Sequence, residues 1–278
     1  MSSAPMVQVH AIYTGQCFLR NHMLFNDGDE NESTPCPVWS FYIYHPVTQT
    51  HILFDLGLMK ELDEYPPKIK ENFPHIFKPQ VKEDVGDALK RHNISPSRIK
   101  TIIYSHPHFD HCGNPSLPHF HNAICLFGQG TQAYARPAYP INHESRFLES
   151  TFPEGRTHEL TDKDYTLTLG PFEKVHDFFG DKSLLLIDAP GHMPGHQLAL
   201  AKTGENTYLL LAGDSAHSAA HLQEYEGRMS YYMHSDKDAA KETLKKITVL
   251  VKLYKDEHKN VRVCLAHAGH YEDFERII

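Results

Sequence analysis

The chain has 278 residues, 40% of them hydrophobic, with 27 Lys and Arg against 35 Asp and Glu and a formal charge of −8. That size suits one large domain with ample apolar core, and the acidic balance argues against nucleic-acid binding, which needs a basic face. No apolar run approaches the roughly 20 residues that span a bilayer, so no stable membrane insertion is expected.

The N-terminal stretch "MSSAPMVQVHAIYTG" has no basic start followed by an apolar leader. The five cysteines (Cys17, Cys36, Cys112, Cys125 and Cys264) are widely spaced, with no C-x-x-C. They fit free thiols in a reducing compartment better than a disulfide framework. The expectation is a soluble, cytoplasmic protein.

In chain order, Val7–Thr14 reads as a strand, and the acidic, turn-rich "NDGDENESTPCP" (Asn26–Pro37) as a loop. Val38–His45 and His51–Gly57 are strand-like, with "HPVTQ" suggesting a hairpin between them. Lys60–Gln80, with its prolines and scattered aromatics, reads as an irregular excursion that can cover a site. Val81–His92 has helical spacing of Val81, Val85, Ala88 and Leu89. Thr101–Ser105 and Ala123–Gly128 read as short buried strands, and Arg136–Asp164 as a long irregular connection. "SLLLIDAPGH", "QLALAKTG" and "TYLLLAGDSA" are three further strand-like runs. Asp236–His258 is predicted as a long helix, and Val261–His267 as a last strand. Strands, helix and strand, then strands, helix and strand, suggest two similar halves. Two sheets face to face with helices outside would make a four-layer αββα sandwich in a single domain, residues 1–278.

The segment "YSHPHFDHCG" (Tyr104–Gly113) packs His106, His108, Asp110 and His111 directly after a buried strand. Imidazole nitrogens and carboxylate oxygens on a loop at a strand end suit zinc and similar divalent ions. The bland reading is a surface loop in a chain with 22 histidines. Against it, the arrangement recurs. "DAPGHMPGH" offers His192 and His196 after a strand, one to bind metal and the other to orient backbone. "LLLAGDSAH" places Asp214 at a strand end, as a helix cap or as the carboxylate that screens two cations from each other. "VCLAHAGH" offers His267, at the strand's immediate end, or His270.

The pattern H-x-H-x-D-H at His106–His111, "FDLG" at Phe54–Gly57, and then "APGHMPGH", "LAGDSAH" and "VCLAH" in that order resemble the metallo-β-lactamase-fold hydrolase superfamily. The resemblance runs from about Asp55 to His267 and is greatest to the N-acyl homoserine lactonase branch. It implies that His106, His108 and His192 hold one metal and that Asp110, His111 and His267 hold a second. Asp214 would bridge them, and Asp55 would support a ligand histidine. The metals would be two divalent ions, zinc first, with iron, cobalt and manganese as alternatives. Three residues after the bridging aspartate, where such lactonases often carry tyrosine, this chain has His217. Cys112 and the Lys60–Gln80 segment also depart from the pattern.

The implied activity is hydrolysis of a lactone ring by a metal-bound hydroxide. Asp110 would relay a proton to the leaving alkoxide, and His217 would donate to the carbonyl. The expected partner is a small lactone or thioester carrying an acyl chain, for which "EYPPKIKENFPHIF" and "QEYEGRMSYYMH" would form an apolar entrance. Thioester hydrolysis is the alternative enzyme reading, and a binding protein with a spent site is the non-catalytic one.

Overall fold

Runs such as Ile52-Leu53-Phe54 and Leu209-Leu210-Leu211 are apolar at every position because both faces of their strands are covered. In the computed structural model, which describes residues 5–224 and 227–268, they belong to two six-stranded sheets. The first sheet holds β1 (Gln8–Arg20), β2 (Ser33–His45), β3 (Thr50–Phe54), β4 (Ile99–Ile103), β5 (Ile124–Phe127) and β6 (Thr157–Glu159), in that order. β1, β2 and β3 pair antiparallel, and β3 through β6 pair parallel. The second holds β7 (Leu167–Leu169), β8 (Phe172–Asp177), β9 (Leu184–Asp188), β10 (Gln197–Gly204), β11 (Thr207–Leu211) and β12 (Asn260–Cys264), in reverse order across the sheet. Here only β11 and β12 are parallel, as their crossover through the helix Lys237–Asp256 requires.

Strand alternation divides the core into three layers. Phe41, Ile52, Phe54, Ile103, Leu186, Ala199 and Leu211 meet between the sheets. Leu53 and Ile102 face outward, against Val85, Ala88 and Leu89 of the helix Val85–Arg91. Ile187, Leu200 and Leu210 face outward on the other side, against Leu244, Ile247 and Leu250 of Lys237–Asp256. This is the αββα sandwich expected from the sequence. No described helix is long and apolar enough to cross a membrane.

Several boundaries differ from the sequence reading. β1 continues past Thr14, through an irregularity between Tyr13 and Gly15, and draws Ser33–Pro37 into β2 with Arg20 opposite Ser33 and Gln16 opposite Pro37. The polar loop therefore stops short of residue 33, because its last residues have a partner strand that turn propensity does not reveal. The helix expected from Val81 begins at Val85, where Asp84 caps it by accepting from the Asp87 N–H. The Arg136–Asp164 connection contains the edge strand β6, and β7 and β8 are additional. Lys60–Gln80 forms three short helical turns and rejoins β1 through paired Gln16 and Gln80 backbones.

Candidate metal centre

His106, His111, His192, Asp214 and His267 follow the ends of β4, β9, β11 and β12, and all five are buried. Burying so many polar groups is costly unless each finds a partner. The far ring nitrogens of His106, His111 and His267 do. His111 Nδ1 donates to Asp55 Oδ2 at 2.9 Å, and His267 Nδ1 donates to the Pro37 carbonyl at 3.0 Å. Ser105 Oγ donates to Asp55 Oδ2 at 2.7 Å, so it accepts from His106 Nδ1 at 3.0 Å. Each bond occupies Nδ1 and turns Nε2 inward, where it can bind a cation once it is free of a proton.

The inward atoms converge. Asp214 Oδ1 lies 3.2 Å from His111 Nε2 and 3.3 Å from His267 Nε2. His267 Nε2 is also 3.3 Å from Asp110 Oδ2 and 3.3 Å from His111 Nε2. Donors placed about 2.0–2.1 Å from a zinc-sized ion stand about 3.3–3.4 Å apart at the corners of a tetrahedron. The second carboxylate oxygen faces another group: Asp214 Oδ2 is 3.7 Å from His106 Nε2 and 3.6 Å from His192 Nε2. His192 Nε2 in turn is 2.9 Å from His108 Nδ1. Asp214 Oδ1 and His106 Nε2 are buried yet make no aligned hydrogen bond. Atoms that approach closely without bonding one another fit donors aimed at common points between them. The residues present thus suit two divalent cations.

The electrostatics divide along the same line. Burial opposes charge on His111, but Asp214 and Asp55 outweigh it and push the ring up to about 10. Burial is likewise outweighed at His267, where Asp214 and Asp110 raise the ring well above its ordinary value. At His106 and His192 burial wins and holds both well below theirs, and it takes His108 down to about 4. Asp214 stays ionised: burial acts against its charge, but His267, His111 and His217 hold its pKa well below the carboxylate range.

Local sequence explains the placement. Gly213 has φ +48°, and a Cβ there would lie 2.8 Å from His196 Nε2. Its absence lets His196 Nε2 accept from the Asp214 N–H at 3.1 Å while Nδ1 donates to the Ala189 carbonyl at 3.0 Å. His196 is therefore the orienting histidine of its pair, and His192 is the one that faces the centre. Gly191 has φ +132° and abuts the backbone of Ala240, which brings the first turn of the long helix against the His192 loop.

All seven sequence-derived candidates, His106, His108, Asp110, His111, His192, Asp214 and His267, come together, and His217 Nε2 stands 3.2 Å from Asp214 Oδ2. His270 lies outside the described residues. A cavity of about 350 Å³ opens onto the group. Ile69, Ile76 and Phe77 line it from the irregular excursion, and Tyr232 and Met233 from the other aromatic segment. Sequence reasoning gave no separate role to Ser105, Cys17 or His234, the last residue of the expected entrance segment "QEYEGRMSYYMH". Ser105 links Asp55 to His106, and its position directly before the first histidine was its only signal. Cys17 Sγ lies 4.0 Å from Asp110 Oδ2, and burial pushes the thiol well above its usual range. Nothing in the sequence around β1 joins it to the histidines. His234 lines the cavity with His217.

A model of the metallo-beta-lactamase superfamily matches residues 33–252. Among similar proteins, the metallo-hydrolase mfmC of Annulohypoxylon moriforme is 32% identical over 223 residues, 77% of this chain and 58% of its own length. The chain thus spans little more than half of that relative. The gamma-lactamase MBL2 of Gibberella moniliformis is 35% identical over 182 residues, 60% of this chain and 70% of its own. The fold is that of an N-acyl homoserine lactone hydrolase solved with the product N-hexanoyl-L-homoserine at its catalytic metal centre. The TM-score is 0.73 at 19% identity, covering 98% of this chain and 96% of that one.

Proposed function

This chain belongs to the metallo-beta-lactamase superfamily, and from that premise we propose that it is a dinuclear-metal hydrolase that opens a lactone ring. The observation that carries the reading is Asp214, which turns one carboxylate oxygen to each of two donor groups. His106, His108 and His192 would hold one ion and Asp110, His111 and His267 the other, with Asp214 between. Divalent ions bound there supply a nucleophile from water near neutral pH and Lewis-acid polarisation of a carbonyl.

The chain's own residues do the rest. Asp55, Ser105 and the Pro37 carbonyl hold the imidazole rings of His111, His106 and His267 in place, so these donors need no reorientation on binding. Asp110, on the cavity wall, passes a proton to the departing ring heteroatom. His217 Nε2 approaches Asp214 Oδ2 without making an aligned hydrogen bond, and its imidazole serves as a donor to the substrate carbonyl in the place of a tyrosine. The apolar walls from Ile69 to Phe77 and at Met233 receive the acyl or ring portion of the substrate.

A cyclic amide is the second reading, favoured by the 35% identity to a gamma-lactamase. The thioester alternative gains no such support: among the described cavity-lining residues, Arg146 is the one Lys or Arg. The test is turnover of a panel of γ-lactones, γ-lactams and thioesters by protein of measured metal content. Lactone opening with two metal equivalents per chain is expected, and Asp110→Asn and His111→Ala should abolish it while the protein stays folded. Full activity in both variants contradicts the reading.

A further inference from the structure

Two features that depart from the motif pattern, Cys112 and the Lys60–Gln80 excursion, meet at one atom. It is the carbonyl oxygen of Phe109, part of the peptide that joins Phe109 to Asp110. Tyr65 Oη, from the excursion, donates to it at 2.9 Å, and the Cys112 thiol approaches it at 3.7 Å. In a continuing helix this oxygen would accept from the Gly113 N–H, four residues on. That N–H instead donates to the Gly57 carbonyl at 2.9 Å. A buried carbonyl needs a strong partner, and the phenol supplies the one that the backbone does not.

Tyr65 is itself firmly held. It is buried, and its hydroxyl accepts from the Met59 N–H at 2.6 Å while it donates to Phe109. Its ring packs edge-on against Phe73 and Phe109, with centroids 5.4 and 5.8 Å away. Phe77 packs on Phe109 at 5.0 Å, and both of these rings line the cavity. An aromatic cluster and one hydroxyl thus join the excursion to the H-x-H-x-D-H loop. The side chain that follows the tethered peptide is Asp110, whose Oδ2 stands 3.3 Å from His267 Nε2. Fixing the plane of that peptide fixes the direction in which the carboxylate projects.

We propose that Tyr65 is a positioning residue: through the Phe109 carbonyl, its hydroxyl holds the Asp110 carboxylate where it would meet both a cation and the departing ring heteroatom. This rests on the hydrolase reading above and extends the centre to a residue outside every metal motif. Groups that orient a ligand from behind are worth about 10–100-fold in metal affinity. Tyr65 acts through the backbone, so the lower end of that range applies. Misplacing the carboxylate also slows proton transfer to the leaving group, which lowers kcat more than it raises KM.

The experiment titrates zinc, by chelator competition, into metal-free wild type, Tyr65→Phe, Asp110→Asn and the double variant. It also measures kcat and KM for γ-butyrolactone with the two proteins that keep Asp110. Tyr65→Phe is expected to weaken one of two zinc ions about tenfold and to lower kcat about tenfold with KM little changed. In the Asp110→Asn background it should weaken zinc no further, because the group it positions is gone. A tyrosine that only supports the fold lowers the melting temperature and leaves zinc affinity unchanged, or weakens zinc equally with and without Asp110. Either result overturns the proposal. If Tyr65→Phe does not fold, a fluorinated tyrosine at position 65 takes its place, because it is a stronger donor of nearly the same volume. A changed affinity for one ion then upholds the tether, and unchanged affinities overturn it. Wild type that binds zinc but opens no lactone refutes the hydrolase reading alone, and the zinc titrations still decide the role of Tyr65. Wild type that binds no zinc overturns both.

Discussion

Around Asp214 Oδ1, His111 and His267 stand at 3.2 and 3.3 Å, and their far nitrogens are taken up by Asp55 and by the Pro37 carbonyl. Around Oδ2, His106 and His192 stand wider, at 3.7 and 3.6 Å, and His192 Nδ1 has no partner in the protein. The first group is anchored to the backbone of β2 at Pro37 and to Asp55, the residue that follows β3. The second group includes His108, which is only half-buried, and it shares the cavity wall with His217 and His234. Preorganisation thus differs between the two halves, whereas both reach the cavity, through Asp110 and His267 on one side and His108 and His192 on the other. A tightly oriented half can hold an ion firmly, and a looser one can adjust to substrate.

The largest expected effect comes from severing both halves at once. Asp214→Asn should lower metal content from two equivalents towards one or fewer and cut kcat/KM by about a thousandfold or more. Elemental analysis beside kinetics checks this, and two retained equivalents would remove the bridge from the account. The next change separates the halves. Asp55→Ala removes the acceptor for His111 Nδ1 directly and reaches His106 only through Ser105, so it should weaken the metal at Asp110, His111 and His267 about 10–100-fold and the other one less. Chelator competition should then resolve two affinities where wild type shows closer ones, and an equal loss at both would erase the distinction.

Proton release sharpens it further. In the metal-free protein His111 is raised to about 10, so it carries a proton at pH 7.5, and Asp214 and Asp110 likewise favour the protonated form of His267. His106, His108 and His192 are lowered and carry none there. Metal entering the first half should displace at least the His111 proton, and metal entering the second half none. The sign follows: affinity of the first half falls as pH drops, whereas that of the second is flat down to about pH 5. For the metal-free fold, the raised pKa of His111 gives stability that is full below pH ~6.5 and lost as pH rises through about 10. Calorimetry in buffers of different ionisation enthalpy counts the protons, and equal release from both steps would contradict the division.

The smallest effect is expected at Ser105, whose Oγ touches both Asp55 at 2.7 Å and His106 at 3.0 Å. Ser105→Ala should cost about 1–2 kcal/mol in unfolding free energy, because it leaves buried partners unmet. Chemical denaturation measures it, and no loss at all would mean that Asp55 holds His106 without this link.

Much of this was legible in the residues. Strand ends are written as apolar runs that stop at His or Asp, so the positions that gather at the centre could be read before any fold was known. The layered architecture followed from the same runs, because only strands covered on both faces are apolar throughout. Pairing partners were not legible. That Ser33–Pro37 joins β2 depends on β1 extending to Arg20, a non-local contact that turn-rich composition conceals. His234 was hidden for a related reason. Its segment was expected at the entrance, but His234 sits outside any metal motif, and the hydrogen bonds of its neighbours to Gly191 and His192 are what set it beside the centre. The roles of His192 and His196 separated only when the acceptor of each nitrogen was visible.

The most direct test of the dinuclear centre is an anomalous difference map of zinc-loaded crystals recorded at the zinc absorption edge. Two peaks are predicted on either side of Asp214, one ringed by His106, His108 and His192 and the other by Asp110, His111 and His267. A single peak, or peaks only elsewhere on the molecule, would contradict the account.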